Sequence, residues 1–193
     1  MQALSEQDQV REAMAGDGQA FEQLMRAHEG RMYAVSLRMC GNREDALDCT
    51  QEAMLRIYRA MKSFKGQSSF ATWVYRITMN TCLDELRRRK VRVSSSLDAM
   101  LDTGFSPTDE EDTPERHAVA SEQRRALDQA IASLPEDMRA AIVLRDVQGF
   151  TYEEIATILA ANVGTIKSRI SRGREKLREM LLRQPELFGR YPV

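Results

Sequence analysis

The sequence contains little of what several classes of protein require. Its 193 residues include only five Pro and ten Gly, and aromatic residues make up 6%, which is too few for a β-rich fold with many tight turns. No apolar run approaches the ~20 residues of a membrane-spanning helix, and the N-terminus lacks the basic start and apolar centre of a signal peptide. We therefore expect a cytoplasmic protein with no direct membrane insertion.

Cysteine and histidine are also scarce. The three cysteines, Cys40, Cys49 and Cys82, lack the paired Cys-x-x-Cys spacing of a zinc site. We interpret them as reduced core thiols and predict no metal site. His28 and His117 are the only histidines, and the sequence has neither a Gly-rich phosphate loop nor a nucleophile motif. These absences predict that the protein uses no cofactor and is not an enzyme.

Most of the chain is rich in Ala, Leu, Met, Glu and Arg, which favour helices. Apolar residues recur at three- and four-residue steps over residues 21–35, the spacing of one helix face. Gly41 is expected to end this helix, and Asn42 to cap the next. The next helix has a predicted buried stripe of Leu47, Met54, Ile57, Tyr58 and Met61. The sequence thus predicts an all-α fold.

Charge is distributed unevenly along the chain. Residues 1–92 carry 15 basic and 12 acidic side chains, and residues 124–193 carry 12 basic and nine acidic. Residues 93–123 between them carry one basic and eight acidic side chains. Two mildly basic halves therefore flank an acidic middle.

The acidic middle has the composition of a linker. It contains Ser clusters, Pro107 and Pro114, and it has few apolar residues that could offset the entropy of ordering it. We therefore predict two small helical domains, residues 1–93 and 120–193, joined by a flexible acidic linker over residues 94–119.

One segment of the first domain combines aromatic and basic side chains. It contains four aromatic residues within twelve positions, Phe64, Phe70, Trp73 and Tyr75, and five cations follow within residues 87–92. A single-strand nucleic-acid binder uses aromatic faces for unstacked bases and cations for phosphates. Alternatively, Phe70 and Trp73 are core residues and the cations complement the C-terminal end of a helix. This segment alone leaves both interpretations open.

The second domain contains the pattern of a helix-turn-helix. Thr151 and Glu154 have the spacing of a capping box at the start of a short helix. Residues 160–162 end that helix, and a second one is expected to begin near Val163. In such a motif the second helix enters the DNA major groove.

The second helix of this motif is strongly basic. Residues 167–183 include seven Lys or Arg and only two acids. Its outward face near the N-terminal end carries Lys167, Ser168, Ser171 and Arg172. The flanking cations, which suit phosphates, are Arg169, Arg174, Lys176 and Arg178. We interpret this basic run as a recognition helix.

Three segments together resemble the extracytoplasmic-function (ECF) class of bacterial RNA polymerase sigma factors, in the sigma-70 family. "EDALDCTQEAMLR" is similar to region 2.2 of the family, "FKGQSSFATWVYRITMNTCLDELRRR" to regions 2.3 to 2.4, and "TYEEIATILAANVGTIKSRISRGREKL" to region 4.2. The resemblance implies an alternative sigma factor that binds core RNA polymerase, at the β′ clamp helices and the β flap, and directs initiation at promoter DNA. It also implies a membrane-anchored anti-sigma factor as a partner.

The resemblance also implies roles for three groups of residues. Those expected to bind core polymerase are Asp48, Gln51, Glu52, Leu55 and Arg59. Those expected to capture or support the −10 element are Phe64, Lys65, Gly66, Ser68, Phe70, Trp73, Arg76, Asn80, Arg87 and Arg88. Those expected at the −35 element are Thr165, Lys167, Ser168, Arg169, Ser171, Arg172 and Arg174.

Two features depart from the family pattern, the turn and a glycine in the recognition helix. The turn of the family usually has Gly where this chain has Ala160, and Pro where it has Asn162. Because a left-handed conformation is strained for Ala, we expect a differently shaped turn. Gly173 lies inside the recognition helix, at a cost of ~1 kcal/mol relative to Ala.

A different function class is a helix-turn-helix repressor or activator that acts without being part of polymerase. It would explain the second domain equally well. It would not explain the aromatic and basic segment of residues 62–92 or the acidic face of residues 48–55, so the sequence favours the sigma factor.

Overall fold

The computed structural model describes residues 5–95 and 114–188, with side chains described for residues 5–92 and 122–188. Within these ranges every regular element is a helix, which confirms the predicted all-α class. None of the described helices is long and apolar enough to cross a membrane.

The first half consists of four helices and one short turn. They are α1 (Glu6–Ala15), α2 (Gly18–Cys40), α3 (Arg43–Ala60), a 3-10 turn (Met61–Ser63) and α4 (Phe70–Ser95). The predicted boundary between α2 and α3 is confirmed: Gly41 adopts a left-handed conformation with φ 78°, and the Asn42 side chain accepts a hydrogen bond from the Asp45 N–H. Local sequence signals thus separate these helices.

The described part of the second half contains five helices and a π-helical turn. They are α5 (Pro114–Ala132), α6 (Glu136–Ile142) with a π-helical turn (Val143–Val147), α7 (Tyr152–Ile158), α8 (Val163–Leu181) and α9 (Pro185–Phe188). The predicted capping box is present, since Thr151 Oγ1 accepts from the Glu154 N–H and the Glu154 carboxylate accepts from the Thr151 N–H. Helices α7 and α8 therefore form the predicted helix-turn-helix.

The helices on either side extend into the predicted linker. Helix α4 continues through Ser95, and α5 begins at Pro114, whereas the sequence predicted a linker over residues 94–119. Proline suits the first position of a helix because its missing N–H would have no partner there. Residues 96–113, the rest of the predicted linker, lie outside the described residues.

The predicted stripe of α3 is partly wrong. Ile57 and Met61 are buried, but Leu47 and Tyr58 are 43% and 60% exposed. The buried residues of α3 itself are Ala46, Cys49, Thr50, Ala53 and Ile57. Because most of these side chains are small, α3 lies close to its neighbours, and the larger Leu47 and Tyr58 remain on the outer face.

The two halves pack against each other. The ring of Tyr75 in α4 contacts the edge of Phe150 with 4.9 Å between centroids, and its hydroxyl donates to Gln148 Oε1 at 3.3 Å. Burial raises the pKa of Tyr75 to about 12. At the end of α4, Lys90 Nζ lies 2.8 Å from the Glu136 carboxylate. One apolar core therefore continues from the first half into the second.

Gly173 lies where α8 crosses α6. A Cβ atom at this position would be 2.8 Å from Ile142 Cγ1 and 3.6 Å from Met138 Cβ. The glycine therefore allows the two helices to approach closely. The packing gained in this way offsets the low helix propensity of glycine.

We expect Gly173→Ala to lower the free energy of unfolding. Overpacking a core costs about 1–3 kcal/mol, which outweighs the ~1 kcal/mol by which Ala favours a helix over Gly. The control is Gly30→Ala in α2, where an added Cβ meets nothing within 4 Å and stability should rise. Urea denaturation of both variants tests this, and equal stabilisation by both would contradict it.

Candidate polymerase and nucleic-acid interfaces

The predicted polymerase-binding residues share one face of α3. Asp48, Gln51, Leu55 and Arg59 are exposed and Glu52 is half-buried. Their spacing of three or four residues places them in neighbouring turns. The five residues therefore form one largely exposed surface, with an apolar side chain, Leu55, that is 50% exposed among polar ones.

An ion pair fixes the acidic part of this face. Arg56 Nε donates to Glu52 Oε1 at 2.8 Å, and Arg56 Nη1 donates to Asp84 Oδ2 of α4 at 3.3 Å. The Arg56 guanidinium holds the pKa of the Glu52 carboxyl below its usual value. Glu52 therefore stays ionised, and the hydrogen bond from Arg56 keeps its side chain against α3.

Two apolar residues on this face were missed by the sequence analysis. Leu47 and Tyr58 are exposed on the same side of α3 as Leu55, and the Tyr58 ring packs edge-on against Phe21 with 5.0 Å between centroids. Leu47 precedes Gln51 by four residues and Tyr58 follows Leu55 by three, and this spacing from predicted members of the face was the available signal. We call the seven residues Leu47, Asp48, Gln51, Glu52, Leu55, Tyr58 and Arg59 the α3 face.

The loop before α4 is arranged around an aromatic cluster. Phe64 lies at its edge, with ring centroids 5.6 Å from Phe70 and 5.1 Å from Trp73. Phe70 and Trp73 are only 6% and 7% exposed. Of the two interpretations left open by the sequence, the structure therefore supports the packing role for both rings, because neither has an open face on which a base could stack.

The remaining −10 candidates lie on the surface around this cluster. Lys65 and Gly66 are exposed in the loop, with Gly66 at φ 65°, and Ser68 is half-buried beside them. Arg76 and Asn80 are exposed one turn apart on α4. These five residues could contact a nucleic acid without any change in the core.

Arg87 and Arg88 lie further along α4 and contact acids. Arg87 is 3.0 Å from the Asp84 carboxylate, and Arg88 is 3.6 Å from that of Glu85. Such exposed pairs contribute at most about 1 kcal/mol. The guanidinium groups can therefore exchange these carboxylates for phosphates.

Helix α8 separates packing residues from outward ones. Ile166, Ile170, Gly173 and Leu177 are buried. The predicted base-contacting residues Lys167, Ser171 and Arg172 are exposed, whereas Thr165 and Ser168 are half-buried. The Ser168 hydroxyl donates to the Thr165 carbonyl at 2.9 Å, so its proton is already engaged.

Two cations predicted for DNA contact also pair with acids of the same half. Arg169 Nε lies 3.2 Å from the Asp137 carboxylate. Arg174 donates from both Nε and Nη2 to Asp146, and this hydrogen-bonded carboxylate raises the pKa of Arg174. These pairs join α8 to α6 and to the π-helical turn.

Comparison with known proteins agrees with this geometry. The family model described as Sigma-70 region 2 matches residues 24–92, and the one described as Sigma-70, region 4 matches residues 124–177. The chain belongs to the sigma-70 family. Within that family it is an ECF sigma factor.

Its relatives cover nearly the whole chain. It is 37% identical over 182 residues to the RNA polymerase sigma-H factor of Pseudomonas aeruginosa, covering 91% of this chain and 94% of that protein. It is 38% identical over 178 residues to the ECF RNA polymerase sigma-E factor of Escherichia coli K12, covering 90% and 93%. The sigma factor RpoE of Bartonella quintana, solved in complex with the anti-sigma factor NepR, has a TM-score of 0.70 at 25% identity, over 83% of this chain and 96% of that one.

These relatives confirm the sigma-factor function over the alternative of a repressor acting apart from polymerase. Sigma factors bind core RNA polymerase and promoter DNA, and the family is not one of enzymes.

The turn of this sigma factor is less unusual than its sequence suggested. Ala160 adopts the left-handed conformation with φ 49°, although a differently shaped turn was expected. The Asn162 side chain caps α8 by accepting from the Thr165 N–H at 2.7 Å. The surrounding helices thus impose a conformation that Ala tolerates only with strain.

We expect Ala160→Gly to raise the free energy of unfolding by up to about 1 kcal/mol. The left-handed conformation costs a non-glycine residue about 1–2 kcal/mol, which glycine would avoid. Part of this gain is lost because glycine gives the unfolded chain more conformational entropy. The control is Ala27→Gly, an exposed position inside α2, which should destabilise by about 1 kcal/mol. Thermal denaturation compares the two, and destabilisation by both would refute strain at Ala160.

Proposed function

We propose that this sigma factor docks on core RNA polymerase through the α3 face. The observation that carries the proposal is the presence of three exposed apolar side chains, Leu47, Leu55 and Tyr58, among acidic and polar ones. Grouped exposed apolar residues mark interaction surfaces. Asp48 and Glu52 surround them with negative charge that would select a basic partner surface.

We further propose that α8 reads the −35 element. Lys167 and Arg172 are exposed near the N-terminal half of α8, where a long cation can reach guanine O6 and N7. Arg169 and Arg174 would act through the orientation of the helix, since carboxylates of the same domain hold both.

For the −10 element we propose a surface made of the loop before α4 and the exposed side of α4. Lys65, Gly66 and Ser68 would contact the displaced strand, with Arg76 and Asn80 next to them. Phe70 and Trp73 would support the loop from the core and not stack on bases, because both are buried.

The two DNA-contacting surfaces must separate when promoter DNA is bound. Elements named −10 and −35 lie about 25 base pairs apart, which is about 85 Å along B-DNA. A compact chain of this length has a radius of gyration of only about 16 Å. We infer that the contact between the halves, around Tyr75 and Phe150, opens in the holoenzyme.

We also propose an anti-sigma factor as a partner and the cytoplasm as the site of action. The solved relative from Bartonella quintana is held by an anti-sigma factor, and the ECF class implies a membrane-anchored one here. Transcription by bacterial polymerase places the sigma factor itself in the cytoplasm.

Reversing the charge of the α3 face should abolish docking. We expect Asp48→Lys with Glu52→Lys to weaken core polymerase binding by at least about 100-fold, since like charges across an interface cost several kcal/mol. Fluorescence anisotropy with purified core polymerase measures the affinity, and circular dichroism checks the fold.

The matched control reverses two exposed acids of α2, Glu22 and Glu29. Glu22 contacts an arginine four residues away at 2.7 Å, as Glu52 does at 2.8 Å. This control should keep its affinity. If both double variants lost affinity equally, the cause would be overall charge and not the α3 face. If the α3 variant lost helicity, its acids would stabilise the fold and would not be a docking surface.

Base contacts and phosphate contacts on α8 can be told apart with two arginines. Arg172→Ala should cost about 1–3 kcal/mol at one or two positions of the −35 element and relax the preference there. Arg178 is equally exposed but lies about 9 Å further along the helix, so Arg178→Ala should weaken all sequences evenly, if at all.

The measurement is holoenzyme binding to a library of −35 sequences at several salt concentrations. A flatter salt dependence without a change in preference marks a phosphate contact. If Arg172→Ala also weakened every sequence equally, α8 would not read bases through that residue.

A further inference from the structure

Three thiols that are distant in sequence meet in the core. Cys40 ends α2, Cys49 lies in α3 and Cys82 lies in α4, and all three are buried free thiols, as predicted. Their Sγ atoms all lie within 4.8 Å of one another, with 3.6 Å between those of Cys40 and Cys49. Sulfur ligands about 2.3 Å from one zinc ion lie about 3.8 Å apart, so the thiols need to move by less than about 1 Å.

An oxygen lies where a fourth ligand would be needed. Ser36 is fully buried, and its Oγ is 3.5 Å from Cys82 Sγ. It also precedes Cys40 by one turn of α2. An oxygen at about 2.0 Å and a sulfur at about 2.3 Å from a tetrahedral ion lie about 3.5 Å apart. No further His, Cys, Asp or Glu joins the group among the residues that the structure describes.

The charges around the cluster suit a divalent ion. Three thiolates with Zn²⁺ carry one net negative charge, and the Arg139 guanidinium donates to the carbonyl of Met39, next to Cys40. The Asp45 carboxylate near Cys49 is already paired with Arg89 at 3.3 Å. A monovalent ion such as Cu⁺ would leave two negative charges, which is costly in a buried site with one neighbouring cation.

We propose that Cys40, Cys49 and Cys82 form a buried three-thiolate zinc site, with the fourth position taken by the Ser36 hydroxyl or a water in its place. The ion would tie α2, α3 and α4 together. The site lies directly under the contact between the two halves, because Gly41, which follows Cys40, faces Ala132 of α5. Zinc would therefore stiffen the surface on which the second half packs.

The test uses the full chain, reduced and stripped of metal, then refolded with Co²⁺ as a spectroscopic probe. Because the thiols are buried, refolding gives the ion access. We expect one equivalent of Co²⁺ to bind with the visible bands and thiolate charge-transfer absorption of a tetrahedral site, and Zn²⁺ to displace it. Zinc at 100 times its Kd should raise the melting temperature by about 5–10 °C.

Cys49→Ala and Cys82→Ala should each abolish the charge-transfer band and the zinc-dependent rise in melting temperature. Ile57→Val, another fully buried change in α3, should keep both. If the cysteine variants fail to fold, the charge-transfer intensity of the unmodified protein still counts its thiolate ligands. The absence of uptake on refolding, a spectrum without thiolate ligands, or uptake that persists in the cysteine variants would overturn the site.

Discussion

Two helix ends meet in the middle of this protein, and their carbonyl groups need donors. The last carbonyls of a helix have no partner within it, and burial excludes water as a substitute. The Arg139 guanidinium donates to the Met39 carbonyl of α2 and to the Ala132 and Leu134 carbonyls at the end of α5. One positive group therefore donates to carbonyls at both ends and complements both helix dipoles. The cost is desolvation, which lowers the pKa of Arg139.

The surfaces for macromolecules lie away from this junction. The α3 face and the exposed side of α8 point outward while the halves are packed together, so the docking that we propose for the α3 face would not require the halves to part first. Reaching both promoter elements would require it, as we infer from their separation on DNA. The contact between the halves combines the continuous apolar core, the Tyr75–Phe150 aromatic pair, the exposed Lys90–Glu136 ion pair and the Arg139 guanidinium.

Much of the fold followed from short-range patterns. The Thr151–Glu154 capping box, the Gly41–Asn42 boundary and the start of α8 near Val163 were all predicted, because caps and helical periodicity act over three or four residues. The order of the two sigma regions was also evident from motifs. Pro114 was misjudged: in an acidic, Ser-rich stretch it looked like part of a linker, yet its missing N–H equally suits the first turn of a helix.

Local sequence was enough for the helices, for the motif that meets DNA and for the polar side of the α3 face, since each depends on neighbours within one or two turns. Three other features depended on which distant segments touch. Burial showed Phe70 and Trp73 to be core residues, and Arg174 pairs with Asp146, a partner 28 residues away that no short-range pattern indicates. The convergence of the three thiols also depends on tertiary packing, because the cysteines lie on three different helices and no short-range sequence pattern links them. Only packing brings such residues together.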